Sequence, residues 1–204
     1  HLDRLEERLA VDGRPCSAPE LVELIEQLMP AVRAMDESGA GDPPEDEPTY
    51  FEIVTAMALL LFVRQGVQAA VLEVGLGGRL DSTNVCRPLV AAITSISFDH
   101  TRQLGSSLAS IAREKAGIVK PGVPLVSGVT DPEPRDVIRD ICRQRGSRMF
   151  ELGTDFDFAY EPARHLGQAS APGRLDFRAR FERGEHTLAG IELSLPGRHQ
   201  AANA

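Results

Sequence analysis

The chain has 204 residues, 42% of them hydrophobic, which is enough for a domain with a substantial buried core. A formal charge of −8 argues against a general nucleic-acid binder, and the longest apolar run is roughly half a membrane span. Three scattered cysteines are too few for a disulfide framework or a zinc knuckle, and no signal peptide opens the chain. We therefore expect a reduced, cytoplasmic protein with no nucleic-acid or membrane partner.

Two capping-box spacings predict where the first helices begin. The box at Ser17-Ala-Pro-Glu20 opens a helical run that Pro30 should kink or shorten. The box at Thr49-Tyr-Phe-Glu52 opens a second run that stops near Gly66. This second helix is apolar all round, which suggests burial between layers. Residues 36–48 are acidic and rich in Pro and Gly, which predicts a mobile surface loop.

Farther along, apolar runs alternate with helical runs. Alternation at this spacing predicts a mostly parallel α/β sheet flanked by helices. The predicted strands cover 69–74, 90–97, 123–126 and 148–152, and the predicted helices follow Ser106-Ser107 as far as about 118 and Asp131-Pro132 as far as 144.

From about residue 156 the apolar side chains alternate with period two, which predicts a small antiparallel β appendage. We expect an α/β domain over 1–155, an antiparallel portion of the same domain over 156–196, and the start of a helix over 197–204. Because that helix breaks off after a few residues, we expect the chain to be a piece of a longer protein.

Two predicted strands lead into side chains that can bind a metal. Glu73 closes one strand, and His100 follows another directly after Asp99. Ligands bind outside the carboxyl ends of parallel strands, so these two side chains could share Mg²⁺, which tolerates few protein ligands. Two alternatives stay open: an ion pair between Glu73 and Arg79, and a loop histidine bonded to Asp99 or to a backbone carbonyl.

Arginine accounts for all but two of the 22 basic residues. The two lysines, Lys115 and Lys120, lie in one short segment. A lysine amine can lose its proton and become a nucleophile or a modified group, which an arginine effectively never does. Lys115 is therefore a candidate functional residue, and the alternative is chance or a solvated helix face.

The run at 73–84, EVGLGGRLDSTN, is rich in glycine. It lacks the third glycine of the dinucleotide fingerprint, and the chain contains no Gly-Lys pair of the Walker A type. The run predicts a tight loop whose backbone approaches a ligand, with Asp81 and Asn84 offering polar contacts. A purely structural turn is the alternative.

These motifs together resemble the folylpolyglutamate synthase/dihydrofolate synthase family, which belongs to the Mur-ligase superfamily. The resemblance covers most of the chain and is weaker over 151–195. Its motifs are the run at 73–84, Asp99-His-Thr, Leu104-Gly105 and the run at 111–122, supported by Thr49-Tyr-Phe-Glu52 and by Gly197-Arg-His-Gln-Ala-Ala-Asn203.

The resemblance implies a Mur-ligase-like central ATPase domain with a magnesium site. Glu73 and His100 match positions that hold Mg²⁺, and Lys115 matches a lysine that is carbamylated and so supplies a metal-ligating oxygen. His100 and Lys115 are the expected catalytic residues. The resemblance also implies the remaining contacts: Thr49, Phe51 and Asp81 for the pterin, and Gln200 and Asn203 for the adenine nucleotide.

The implied activity is an ATP-dependent ligase that adds L-glutamate to dihydropteroate or to folylpolyglutamate through an acyl phosphate, in a monomer. In the family, the phosphate-binding loop precedes the segment that His1-Leu2 matches, so the resemblance implies that this loop and the C-terminal domain lie outside this stretch. We therefore expect this stretch alone to be inactive. Three alternatives are a Mur-type ligase acting on a cell-wall precursor, a non-catalytic binding remnant, and a metal-dependent hydrolase, for which the ligands are too few.

Overall fold

The computed structural model describes residues 3–38, 47–98, 100–166, 169–181, 184–194, 197–198 and 200. The chain divides into two compact units. The first comprises His1–Leu76 and Asp81–Val85, and the second comprises Gly77–Leu80 and Cys86–Ala204. No helix within the described ranges is both long enough and apolar enough to cross a bilayer.

The first unit is built on two helices that pack against each other, α1 (Ala18–Ser38) and α2 (Tyr50–Gln65). The short strands β1 (Ala10–Val11) and β2 (Arg14–Pro15) form an antiparallel pair, and 3₁₀ turns cover Leu5–Arg8 and Ser82–Val85. The core is formed by buried side chains from both helices and from the segment before them: Leu9, Cys16, Leu24, Val54, Met57 and Leu61.

Both predicted capping boxes are present in this unit. The Glu20 carboxylate accepts a hydrogen bond from the Ser17 N–H at 2.8 Å, and Glu52 accepts one from the Thr49 N–H at 2.7 Å. These backbone hydrogen bonds favour the charged carboxylates, so the pKa of Glu20 and the pKa of Glu52 are both lowered. Helix α2 ends before Gly66, as predicted.

The expectation that Pro30 shortens α1 is wrong, because the helix continues to Ser38. The other predicted outcome, a kink at Pro30, stays a prediction. Pro30 and Glu26, whose carbonyl loses its helical donor there, are both exposed, so solvation can replace the missing bond. Helix α2 is not buried on all sides, because Val63 is 78% exposed. Of the predicted loop at 36–48, residues 36–38 belong to α1 and residues 39–46 lie outside the described ranges.

The second unit contains a parallel sheet whose strand order is β3 (Ala91–Ile93), β4 (Leu125–Ser127) and β5 (Met149–Glu151). Helices α3 (Thr101–Leu104) and α4 (Leu108–Lys115) precede β4, a 3₁₀ turn (Ala116–Ile118) follows α4, and α5 (Pro132–Gln144) precedes β5. Helices α4 and α5 pack together over a buried apolar cluster shared with the sheet. The predicted alternation of strands and helices is confirmed.

The predicted strand at 69–74 is wrong. Residues 67–74 have no regular secondary structure, and Val71 is 97% exposed. A strand needs a neighbour that satisfies its backbone hydrogen bonds, and none of the described strands pairs with this segment. The strand predicted at 90–97 is present but shorter, because β3 covers only Ala91–Ile93.

The antiparallel portion begins at residue 156, as predicted. Strands β6 (Phe156–Glu161), β7 (Arg164–Leu166), β8 (Ala169–Ala171), β9 (Gly173–Phe181) and β10 (Gly184–Leu193) follow one another. One sheet has the order β10–β9–β6, and β7 pairs with β8 in a separate ladder. An edge-to-face contact between Phe150 and Phe181, with centroids 5.6 Å apart, links β5 to β9.

Candidate active site

The first turn of α2 lies against the start of the glycine-rich run. The half-buried Phe51 ring is so close to Gly75 that a Cβ on residue 75 would lie 2.7 Å from two ring atoms. Phe51 is thereby held beside the loop that follows Glu73. The hydroxyl of Thr49 is engaged in the capping box, where it accepts from the Glu52 N–H at 3.3 Å and donates to the Glu52 carboxylate at 2.8 Å.

The Asp81 carboxylate organises this loop from inside. Its Oδ2 accepts hydrogen bonds from the N–H groups of Gly75 and Leu76, both at 3.0 Å. Its Oδ1 accepts from the N–H and the hydroxyl of Thr83, at 2.9 and 2.5 Å. Both carboxylate oxygens are therefore used within the loop, and the structure brings Asp81 and Phe51 to the same residue, Gly75.

A buried threonine ties the loop to α2. The Thr55 hydroxyl donates to the Phe51 carbonyl at 2.7 Å and lies 2.8 Å from the Ser82 hydroxyl. Thr55 was not among the site residues predicted from the sequence. The available signal was a lone hydroxyl inside an otherwise apolar helical run.

The next residues of the run rest on the end of α4, within the second unit. Gly78 has a φ of +157°, and a Cβ there would lie 2.8 Å from the Lys115 carbonyl oxygen. The Arg79 N–H donates to the Glu114 carbonyl at 2.9 Å. A Cβ on Gly117 would lie 2.4 Å from the Arg79 Cα. Loop backbone and helix backbone are therefore in direct contact.

The same contact includes an ion pair. Arg79 Nε donates to both carboxylate oxygens of Glu114 at 3.1 Å. The sequence suggested Glu73 as an alternative partner for Arg79, whereas the structure gives Arg79 a salt bridge to Glu114. Glu114 lies within the motif at 111–122, and the separation of 35 residues from Arg79 gives no local signal of the pairing.

His100 is exposed and has a left-handed backbone, with φ 47° and ψ 42°. It precedes α3, and its carbonyl accepts from the N–H groups of Gln103 and Leu104 at 2.9 and 3.0 Å. A left-handed backbone costs a residue with a side chain about 1–2 kcal/mol. Such strain concentrates at functional sites, which agrees with the predicted role of His100 but does not test it.

The three predicted metal ligands are divided between the units. Glu73 is exposed and belongs to the first unit, whereas His100 and the half-buried Lys115, the last residue of α4, belong to the second. Among the residues that the structure describes, no three His, Cys, Asp or Glu side chains form a group that could hold a metal. A carboxylate, an imidazole and a carbamate oxygen are chemically suited to Mg²⁺. The ligand set stays a prediction.

Two residues were predicted to contact the adenine nucleotide. The Gln200 N–H donates to the Gly197 carbonyl at 3.0 Å, and Asn203 lies outside the described residues.

The first unit has two grooves of about 510 and 690 Å³. They are lined mainly by the β1–β2 region and by the end of α2 with the residues after it. No predicted site residue lines either groove.

The chain is similar to a known protein family and to a characterised relative. Residues 21–204 match the family described as Mur ligase middle domain. The chain is 39% identical over 199 residues to a dihydrofolate synthase/folylpolyglutamate synthase of Bacillus subtilis, covering 97% of this chain and 43% of that protein.

Two solved structures are also similar along the whole chain. The folylpolyglutamate synthase of Thermotoga maritima superposes with a TM-score of 0.83 at 33% identity, covering 100% of this chain and 43% of that one. A folylpolyglutamate synthase in complex with AMPPCP and folate gives a TM-score of 0.83 at 29% identity, with coverages of 100% and 46%. The chain thus spans less than half the length of these relatives.

Proposed function

The chain belongs to the family of Mur ligase middle domains, and on that premise we propose that the protein is an ATP-dependent ligase. It adds L-glutamate to dihydropteroate, to folylpolyglutamate or to both. The observation that carries the proposal is the similarity, along nearly the whole chain, to proteins named dihydrofolate synthase/folylpolyglutamate synthase. The relative bound to AMPPCP and folate supports a nucleoside triphosphate and a folate as substrate classes.

The proposed reaction forms an amide in two steps. A carboxylate oxygen of the folate substrate attacks the γ-phosphorus of ATP, the bond to the bridging oxygen breaks, and ADP leaves with that electron pair. The glutamate amine then attacks the acyl carbon and forms the C–N bond. Inorganic phosphate leaves from the tetrahedral intermediate, and the former amine releases a proton.

Glu73, His100 and carbamylated Lys115 are the residues that would hold magnesium. When bound, Mg²⁺ screens the repulsion between the substrate carboxylate and the triphosphate. Lys115 takes part once its neutral amine has attacked carbon dioxide, which forms an N–C bond, sends one amine proton to solvent and leaves an anionic carbamate oxygen. Arginine keeps its proton and cannot form this group, which supports the choice of lysine in an arginine-rich chain.

Thr49, Phe51 and Asp81 would line the pterin site. The Phe51 ring offers an aromatic face that can stack on a flat heterocycle. Asp81 already accepts four hydrogen bonds from the loop, so its role is to shape the site. Gln200 and Asn203 are the proposed contacts of the adenine nucleotide. We further propose that the enzyme is cytoplasmic and monomeric and acts in folate metabolism.

The experiment that tests this function is ADP release by the full-length gene product, with ATP, Mg²⁺, L-glutamate and one carboxylate substrate at a time. Dihydropteroate or a folylpolyglutamate should drive ADP release, and a cell-wall nucleotide precursor should not. Release with the cell-wall precursor alone would replace the folate assignment by a Mur-type ligase.

The metal assignment has its own variants. Glu73→Ala and His100→Ala should each lower kcat on the order of 100-fold, because each removes a group that acts on the transition state, with little change in Tm. Asp140→Ala, an exposed residue of α5, is the control and should keep wild-type turnover. Wild-type kcat in Glu73→Ala or His100→Ala would remove that residue from the site.

A further inference from the structure

Arg79 and Glu114 are joined through both their backbones and their side chains. The Arg79 N–H donates to the Glu114 carbonyl at 2.9 Å, and Arg79 Nε donates to both carboxylate oxygens at 3.1 Å. One residue of the glycine-rich run therefore holds residue 114 by its main chain and by its side chain at once. A hydrogen bond between two charged groups is stronger than one between neutral groups, so the side-chain contact adds to the hold of the backbone bond.

The surroundings of this pair leave little space for movement. A Cβ on Gly78 would lie 2.8 Å from the Lys115 carbonyl oxygen, and one on Gly117 would lie 2.4 Å from the Arg79 Cα. The loop approaches residues 114 and 117 on either side of Lys115, and Gly78 lies against the Lys115 carbonyl itself. The end of α4 and the 3₁₀ turn after it are consequently held around the lysine that the proposed function requires.

We propose that Arg79 and Glu114 form a clamp that positions Lys115 for carbamylation and metal binding. This inference rests on the proposed function. Successive side chains of an α-helix diverge by about 100°, so Glu114 can face the loop while the Lys115 side chain leaves the helix in a different direction. Arg79 and Glu114 act on the lysine through the backbone, as positioning residues that do not touch the substrates.

The second unit contains a matched control for this ion pair. Arg139 Nε donates to the two carboxylate oxygens of Glu151 at 3.0 and 2.9 Å and so links α5 to β5. Arg139 also pairs through Nη2 with Glu151 at 2.7 Å and through Nη1 with Asp136 at 3.2 Å. Both pairs are partly exposed, with exposed side-chain fractions of 37% and 14% in this pair and 53% and 26% for Arg79 and Glu114. Arg139 has no part in the proposed chemistry.

The experiment compares Arg79→Ala, Glu114→Ala, the double variant and Arg139→Ala in the full-length gene product. Each protein is equilibrated with ¹³C-bicarbonate, and the carbamate on Lys115 is quantified by ¹³C NMR; kcat, KM for the folate substrate and Tm are measured in parallel. Arg79→Ala and Glu114→Ala should each lower carbamate occupancy and lower kcat on the order of tenfold, with KM unchanged. The double variant should be no worse than either single variant, because both remove the same interaction.

Arg79→Lys keeps the positive charge but loses the Nε–H donor, and it should recover part of the carbamate occupancy and part of kcat. It replaces the alanine variants if those do not fold. Wild-type carbamate occupancy and kcat in folded Arg79→Ala, or equal losses in Arg139→Ala, would overturn the clamp. If the wild-type protein shows no carbamate and no folate-dependent ADP release, the proposed function is overturned, and the clamp with it. If the wild-type protein carries the carbamate and Arg79→Ala has the same carbamate occupancy and kcat, the clamp is refuted and the proposed function is not.

Discussion

Gly78→Ala probes the contact between the glycine-rich run and the end of α4. A φ of +157° is rarely adopted by a residue with a side chain, and holding one there costs about 1–3 kcal/mol. The new Cβ would also lie 2.8 Å from the Lys115 carbonyl oxygen and 3.1 Å from that of Glu114. These are backbone atoms that a rotamer change cannot move, so overpacking adds about 1–3 kcal/mol.

We therefore expect Gly78→Ala to lower the free energy of unfolding by about 3 kcal/mol. For a chain of this size each kcal/mol lowers Tm by about 2–4 °C, which gives a loss of about 6–12 °C. Thermal unfolding followed by circular dichroism measures it. Gly146→Ala is the control, because φ there is +60° and a Cβ would meet nothing within 4 Å.

The control isolates the cost of the left-handed backbone, about 1–2 kcal/mol. If Gly78→Ala costs no more than Gly146→Ala, the loop and the helix are not in contact at this position, and the reasoning about the clamp fails with it.

Four further outcomes are expected. Lys115→Ala should lose ADP release and regain part of it with acetate or formate, which can replace the carbamate oxygen; no recovery at any concentration would count against carbamylation. Asp81→Asn should lower the free energy of unfolding in urea by about 1–3 kcal/mol, because an amide has one acceptor oxygen and leaves loop donors unpaired, whereas Asp157→Asn in β6 should change it little. The lowered pKa of Glu52 means that its stabilising effect is present above the unfolded value near 4.3 and is lost as the pH falls through the lower folded value. The Tm difference between wild type and Glu52→Gln should therefore shrink below about pH 4, and a constant difference from neutral to acidic pH would contradict this. His100→Gly should be more stable than His100→Ala by about 1–2 kcal/mol, since both lose the imidazole and only glycine is unstrained at a φ of 47°; equal Tm values would argue against the left-handed backbone.

The helices and the antiparallel strands could be predicted because their signals are local. The Thr49 capping box and Gly66 bound α2 in the sequence as they do in the structure. Period-two alternation marks β6 and β9 without knowledge of their partners. The error at 69–74 has the opposite origin, since an apolar run does not show whether a neighbouring strand exists to pair with it.

Some features of the candidate site also have local sequence signals, whereas others depend on contacts between distant segments. The glycine-rich run predicts a tight loop and draws attention to Glu73, Asp81 and Lys115, but not to what the loop touches. Arg79 and Glu114 are separated by 35 residues, and no periodicity links them. The contact of Phe51 with Gly75 likewise depends on two segments that meet only in the folded chain.

The sequence by itself determined the helix starts, the α/β alternation and the family, because caps, periodicity and motifs are encoded within a few neighbouring residues. Only the tertiary structure decided which carboxylate holds Arg79, why Gly78 has no room for a side chain, and that Asp81 directs its oxygens into its own loop. The physical reason is that hydrogen bonds and close packing depend on distances of a few ångströms between residues far apart in the chain, and folding alone sets those distances.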